Sequence, residues 1–289
     1  MNSWCDNRSA ITVVCDPGID DLLAMRLLEK IDTSPKQIIP TYGNMPTAVT
    51  SFNAADFIRV CDSTWTLCSG TGALEQKSKN WIDGAQGENG LWGLRPNSIP
   101  GVYNSVKPIP TTRVISLGTL GEVNNIIQRT NEAQLLIMGG VFERFKENGN
   151  TSELNIRLNT RASQMVFTKP AADTRVVPAD VAFDVFWTRE TVEEVRDSSD
   201  MGIWLKQILL ANYDGGRYEL GNELYDPLCV FLAYFPEYAQ WKKSGIRVGD
   251  DGKTVFDSSR PSVMTAVKII NPDEVSKKLL AMIFGDSSS

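Results

Sequence analysis

Short apolar runs alternate with longer stretches of helical spacing through most of the chain, and this alternation is the first structural signal. Ala10–Cys15 is unbroken apart from one threonine and rich in β-branched residues, so it reads as a buried strand. The run stops at Asp16-Pro17-Gly18, and from Leu22 to Lys30 the apolar positions recur with helical spacing. Further apolar runs fall at Gln37–Pro40, Arg113–Leu117, Gln134–Met138 and Thr174–Val177, with helix-compatible stretches at Thr47–Cys61, Leu120–Arg129 and Thr160–Phe167. Strand and helix in alternation predict an α/β fold, a mostly parallel sheet covered by helices on both faces. A helix is predicted over Thr188–Lys206 and another over Glu223–Phe235. Loops rich in Gly, Asn and Pro occupy Asp83–Pro100, Phe145–Thr151 and Tyr213–Gly221, and open α/β sheets bind ligands among the loops beyond their strand ends. Neither a repeat nor a linker interrupts the pattern, which predicts one domain over residues 1–289 with frayed ends at 1–9 and 285–289.

Composition narrows the chemistry. With 289 residues and 42% hydrophobic content the chain can bury one large core. No stretch approaches the roughly 18 consecutive apolar residues of a membrane span. The opening residues are mostly polar, without the charged-then-apolar order of a secretory signal, so a soluble cytoplasmic protein is expected. Cys5, Cys15, Cys61, Cys68 and Cys229 are scattered, with no C-x-x-C pair, and read as reduced thiols. A net charge of −6 without a basic run argues against a nucleic-acid partner. The chain has no histidine, which excludes every scheme that needs an imidazole base or ligand. Carboxylates must carry the chemistry.

Three carboxylates stand where the first strand meets the first helix, in Asp16-Pro17-Gly18-Ile19-Asp20-Asp21. Pro17 and Gly18 suit a tight turn, and Asp20 and Asp21 fall near a helix N-terminus, where the dipole favours negative charge. Capping explains one carboxylate, but three in one place repel unless a cation offsets them. A hard cation with oxygen ligands follows, calcium before zinc or copper, with magnesium also allowed by the chemistry. The turn lacks G-x-x-x-x-G-K-[ST], so it is not a phosphate loop, and it lacks G-x-G-x-x-G, which disfavours a dinucleotide-dependent oxidoreductase.

Cys15-Asp16-Pro17-Gly18-Ile19-Asp20-Asp21 resembles the N-terminal signature of the inosine-uridine-preferring nucleoside hydrolase family, D-x-D-P-G-x-D-D. In the family's order follow Tyr42-Gly43-Asn44, Gly87-Glu88-Asn89-Gly90-Leu91, Leu117-Gly118-Thr119-Leu120, Met138-Gly139-Gly140, Glu153-Leu154-Asn155 and Tyr225-Asp226-Pro227-Leu228. The resemblance implies the nucleoside hydrolase fold, with its Rossmann-like central sheet, and hydrolysis of the N-glycosidic bond of a ribonucleoside to ribose and free base. It implies Ca2+ held by Asp16, Asp21, Asp226 and the Leu117 carbonyl, with Asp16 also the general base toward the calcium-bound water. Asp20, Asn44, Glu153 and Asn155 match residues that hydrogen-bond the ribose, and Met138 one that lies against the sugar. Relatives of this kind are commonly homodimers or homotetramers.

The chain also departs from that pattern. Val14 stands at the first Asp of D-x-D, Gln86 at a frequent histidine, and Tyr225 at the histidine before the last calcium ligand. Some purine-preferring relatives carry an aromatic residue at the last position, which predicts that Tyr225 stacks on the base or donates to it, and that a purine or modified nucleoside is the substrate. Trp81 and Trp92 flank the Gly-rich loop and are candidates for the other face of the sandwich. The loop before Glu153 is about three residues shorter than usual by comparison with the family pattern. Asn150, with Asn148 as the alternative, is expected to reach the ribose. Two readings stay open: an enzyme of purine salvage, and a homologue that binds nucleoside or ribose without turnover.

Overall fold

The protein is described by a computed structural model that covers residue 4 and residues 9–70, 86–87, 89–96, 104–130, 132–144, 152–215 and 221–285. In chain order β1 (Ile11–Cys15), α1 (Ile19–Ile31), β2 (Lys36–Pro40), α2 (Thr47–Val60) and β3 (Thr66–Leu67) are followed by β4 (Arg113–Ser116), α3 (Gly121–Ile127) and β5 (Gln134–Met138). Next come α4 (Leu154–Leu158), α5 (Thr160–Thr168), β6 (Asp173–Val177), α6 (Ala179–Ala182), β7 (Phe186–Trp187), α7 (Arg189–Glu193) and α8 (Asp200–Asp214). The chain closes with β8 (Asn222–Glu223), α9 (Tyr225–Tyr234), β9 (Ala239–Ser244), β10 (Ile246–Val248), β11 (Thr254–Phe256), β12 (Val263–Ile269) and α10 (Pro272–Phe284).

Eight strands form one sheet in the order β3-β2-β1-β4-β5-β6-β12-β9, parallel except for β9 against β12. Burial on both faces explains the apolar runs: β1 is fully buried, with Val13 and Cys15 in one core cluster and Val14 in the other. Val14, which replaces a family carboxylate, thus shares an apolar cluster with Ile39 and Val114. Among the described residues no helix is long and apolar enough to cross a membrane.

Three expectations are corrected. Thr188–Lys206 is two helices, because the Asp197 side chain accepts from the backbone N and Oγ of Ser199, and Ser199 Oγ in turn caps Gly202 N at 3.1 Å. Local side-chain hydrogen bonds compete with the helix and restart it at Asp200. The helix expected from Glu223 begins at Tyr225, since Asn222 and Glu223 pair with Trp187 and Phe186. The loop expected from Tyr213 starts later, as α8 runs to Asp214. β9–β12 and α10 have no counterpart among the elements predicted from the sequence, although β12 and β9 complete the sheet.

Parallel order puts the carboxyl ends of β1, β4, β5 and β6 on one edge. Asp16, Leu117, Met138 and Ala179 each follow or close one of these strands, and all four line a single cavity.

Candidate active site

The cavity at this edge has a volume of about 340 Å³. Its wall combines the strand ends with the N-terminal turn of α1, the start of α9 and the short β8 strand. Asp16, Asp20, Asn44, Leu117, Met138, Glu153, Asn155, Tyr225 and Asp226 all lie on it, although the chain separates the first from the last by more than two hundred residues.

Asp16 sits at the end of β1 with its Oδ2 accepting from Asn44 N at 2.5 Å. Its carboxylate fills the space between Gly43 and Gly118, where an added Cβ would lie 2.0 Å and 2.6 Å from its oxygens. Asp21 faces the same turn from α1. It is fully buried, and its carboxylate accepts from Asp16 N at 3.2 Å and Gly18 N at 3.0 Å, so it caps its own helix while facing the cluster. Asn53, which the sequence reading passed over, donates to Pro17 O at 2.8 Å and Asn89 O at 3.0 Å and ties the acidic turn to the Gly-rich loop. A polar residue on the buried face of an otherwise ordinary helix was its only signal.

Carboxylate oxygens of Asp20, Asp21 and Asp226 lie within 4.8 Å of one another. This grouping differs in one member from the expected ligand set, because Asp20 joins it and Asp16 stands beside it. Asp20 Oδ1 is buried and has no hydrogen-bond partner among the described residues. Burial, followed by the charge of Asp21, pushes the Asp16 carboxyl well above the usual range. Burial and then the charges of Asp20, Asp21 and Asp16 do the same to Asp226, and burial followed by Asp20 does so to Asp21. Burial also raises Glu153 and Asp20. Among the described residues no basic side chain lines the cavity to offset them. A divalent cation would compensate this charge, and the all-oxygen donor set with its unpartnered oxygen suits a hard one.

Elsewhere on the wall, Glu153 Oε1 accepts from Asn155 N at 2.7 Å, and its Oε2 accepts from Gly140 N at 3.1 Å and Ile156 N at 3.2 Å. Asn155 Nδ2 donates to Leu117 O at 2.8 Å, which leaves that carbonyl a second lone pair. Gln86 lies against the acidic turn, with Oε1 accepting from Ile19 N at 3.0 Å. Tyr225 meets Phe183 edge to face at 5.5 Å between ring centroids, and both line the cavity.

Trp92 requires correction. It does not line the cavity; its indole packs against the core and donates to Asn212 Oδ1 at 3.0 Å. The aromatic partner of Tyr225 on the wall is Phe183, and Asn212, Asn222 and Glu223 also reach the wall, none of them anticipated from sequence. Trp81, Asn148 and Asn150 lie outside the described residues.

Comparison with known proteins agrees with this architecture. A probable uridine nucleosidase from Arabidopsis thaliana is 26% identical over 275 residues, covering 86% of this chain and 84% of the relative. A probable uridine nucleosidase from Oryza sativa subsp. japonica is 24% identical over 272 residues, covering 85% and 83%. The fold matches a plant nucleoside hydrolase with a TM-score of 0.78 at 22% identity, over 96% of this chain and 99% of the other. It also matches a purine-preferring ribonucleoside hydrolase from Gardnerella vaginalis with a TM-score of 0.81 at 18% identity, over 96% and 98%. Since the model of the family described as inosine-uridine preferring nucleoside hydrolase matches residues 11–277, the chain belongs to that family and is a hydrolase acting on N-glycosyl bonds.

Proposed function

We propose that this enzyme hydrolyses the N-glycosidic bond of a purine or modified ribonucleoside, with calcium held in the acidic pocket and Asp16 as general base. The observation that carries the reading is the approach of Asp20, Asp21 and Asp226 within 4.8 Å beside a cavity that Asp16 also lines. Asp16, Asp21, Asp226 and the Leu117 carbonyl would hold the ion, with Asp20 alongside. When bound, a calcium ion supplies positive charge that orients water and lowers its pKa.

Asp16 takes a proton from the water that attacks C1′. Cleavage develops positive charge on the ribose, so the surrounding carboxylates stabilise the oxocarbenium-like transition state more than the neutral substrate. Asp20, Asn44, Glu153 and Asn155 bind the ribose hydroxyls, and Met138 packs against the sugar. Tyr225 and Phe183 offer aromatic surface to the base, which supports stacking in place of an imidazole acid.

The test is release of reducing sugar from inosine, guanosine, adenosine, uridine and cytidine, with calcium and after chelation. Calcium-dependent release is expected, with purines turned over faster than pyrimidines. The absence of histidine favours a second reading, binding without turnover. That reading gains if nucleosides raise the melting temperature in a calcium-dependent way while no sugar appears.

A further inference from the structure

The polarity of one buried hydrogen-bond chain is fixed from its first member. An indole nitrogen can only donate, so Trp92 Nε1, at 3.0 Å, requires the oxygen of Asn212 to face it. The amide nitrogen of Asn212 is thereby turned toward Asn222, whose Oδ1 accepts from it. Asn222 Nδ2 is left over. Asn222 is 5% exposed and lies on the wall of the cavity, and its Nδ2 is buried with no acceptor among the described residues. A buried donor without a partner is costly, so an arrangement that fixes one at a ligand cavity points to an acceptor on the ligand.

The support of this relay is specific. Trp92 holds a left-handed backbone at φ 54°, which a bulky side chain rarely adopts. Its N–H is anchored to Gln86 O at 2.9 Å. The ring passes so close to Gly215, at the end of α8, that an added Cβ there would lie 2.2 Å from a ring carbon. Asn222 N in turn receives Tyr213 Oη as acceptor at 3.2 Å, which fixes the backbone that carries the amide.

The ribose side of the cavity is taken by Asp20, Asn44, Glu153 and Asn155. Asn222 sits instead on the part of the wall formed by β8 and the end of α8, close in sequence to Tyr225. We propose that Asn222 is a specificity-determining residue that donates a hydrogen bond to an acceptor on the base, with Trp92 and Asn212 as positioning residues that lock its orientation. This rests on the hydrolase reading above and adds what that reading does not supply, a way to read the base. An amide N–H complements an exocyclic carbonyl and not an exocyclic amine. The site therefore favours an oxo base over its amino counterpart: inosine over adenosine, and uridine over cytidine.

The experiment compares kcat/KM for these two pairs in the wild type, Asn222→Asp, Asn212→Asp and Trp92→Phe. Asn222→Asp replaces the donor by an acceptor of the same size, and should lower the inosine-to-adenosine and uridine-to-cytidine ratios by about tenfold, the worth of one hydrogen bond. Asn212→Asp keeps an acceptor for Trp92 but removes the donor to Asn222, and should lower the same ratios by several-fold, as should Trp92→Phe, with melting temperatures recorded for each. Equal losses on both members of each pair would mark the relay as structural and overturn the proposal. An enzyme with no turnover would defeat the hydrolase reading alone, and the ratio is then read as the difference in melting-temperature rise between inosine and adenosine. No change in that difference on Asn222→Asp would overturn the assignment.

Discussion

The two edges of the sheet bury aspartates equally well and treat them in opposite ways. At the carboxyl edge Asp16, Asp21 and Asp226 are at most 2% exposed, face one another, and have their acidities weakened by burial and mutual repulsion. At the amino edge Asp32 is 1% exposed. There burial also pushes the carboxyl up, but hydrogen bonds from Tyr234, Ser34 and Arg113 outweigh it and hold the group down at about 2. Tyr234 Oη donates to it at 2.6 Å, Ser34 N at 2.7 Å and Arg113 at 2.7 Å. Arg113 also stacks on Trp4 at 5.6 Å, and Lys36 donates to the carbonyls of Asp32 and Ser34. Exposure is similarly low at both edges. What differs is a cationic donor: Arg113 reaches Asp32, whereas among the described residues no basic side chain lines the cavity beside Asp16 and Asp226, and that is the edge with an unpartnered oxygen to offer a ligand.

The largest break in this comparison comes from Asp16→Ala. Removing the proposed base should lower kcat for ribose release by roughly a thousandfold, in line with the worth of general-base catalysis. Far-ultraviolet circular dichroism should stay unchanged, because no basic partner is stranded by the loss. Turnover within tenfold of wild type would remove Asp16 from the mechanism.

Asp32→Asn acts at the other edge, and its effect is one of stability. The carboxyl is near 2 when folded and about 3.9 when unfolded, so its contribution is complete above the unfolded value and is lost as pH falls through the folded one. A depression of this size corresponds to about 2.5 kcal/mol. Urea unfolding at pH 7 should show the variant less stable by that order, and the gap should narrow between pH 4 and pH 2 by estimate from the same linkage. A gap independent of pH would mean that the loss is packing and not ionisation. Ribose release at pH 7 checks that the amino edge leaves the chemistry alone.

These edges also differ in how far the sequence revealed them. The acidic turn was legible because Asp16, Asp20 and Asp21 crowd a strand end, and the sheet because its central strands are buried on both faces and therefore read as apolar runs. The final strands were not legible, since β9 lies at the sheet edge and mixes Gln240, Lys242 and Lys243 with its few buried positions. The convergence of Asp226 on Asp16 came from the family resemblance, because spacing carries no information about a contact across the whole chain. The Asp32–Arg113 pair escaped notice for the same reason: Arg113 opens an apolar run and reads as its polar boundary, yet it is 1% exposed. Trp92 has the composition of a binding residue, an aromatic beside a Gly-rich loop, yet its indole turns to Asn212. Its direction is set by Asn212, from 120 residues away.

The smallest effect expected has the most diagnostic sign. Burial and the charges of Asp20, Asp21, Asp16 and Glu153 weaken Asp226. Asp226→Asn should therefore remove more repulsion than attraction in metal-free protein, and raise its stability by about 1 kcal/mol after chelation, whereas Asp32→Asn lowers it. Calcium should reverse the order: wild type should gain melting temperature on titration with the ion, by an amount that grows with concentration over its dissociation constant, and Asp226→Asn should gain less. Urea unfolding with chelator and with calcium reads both signs. If Asp226→Asn were destabilising without the ion and still responded fully to it, Asp226 would belong with Asp32 as a structural carboxylate, and the cation would have to be held without it.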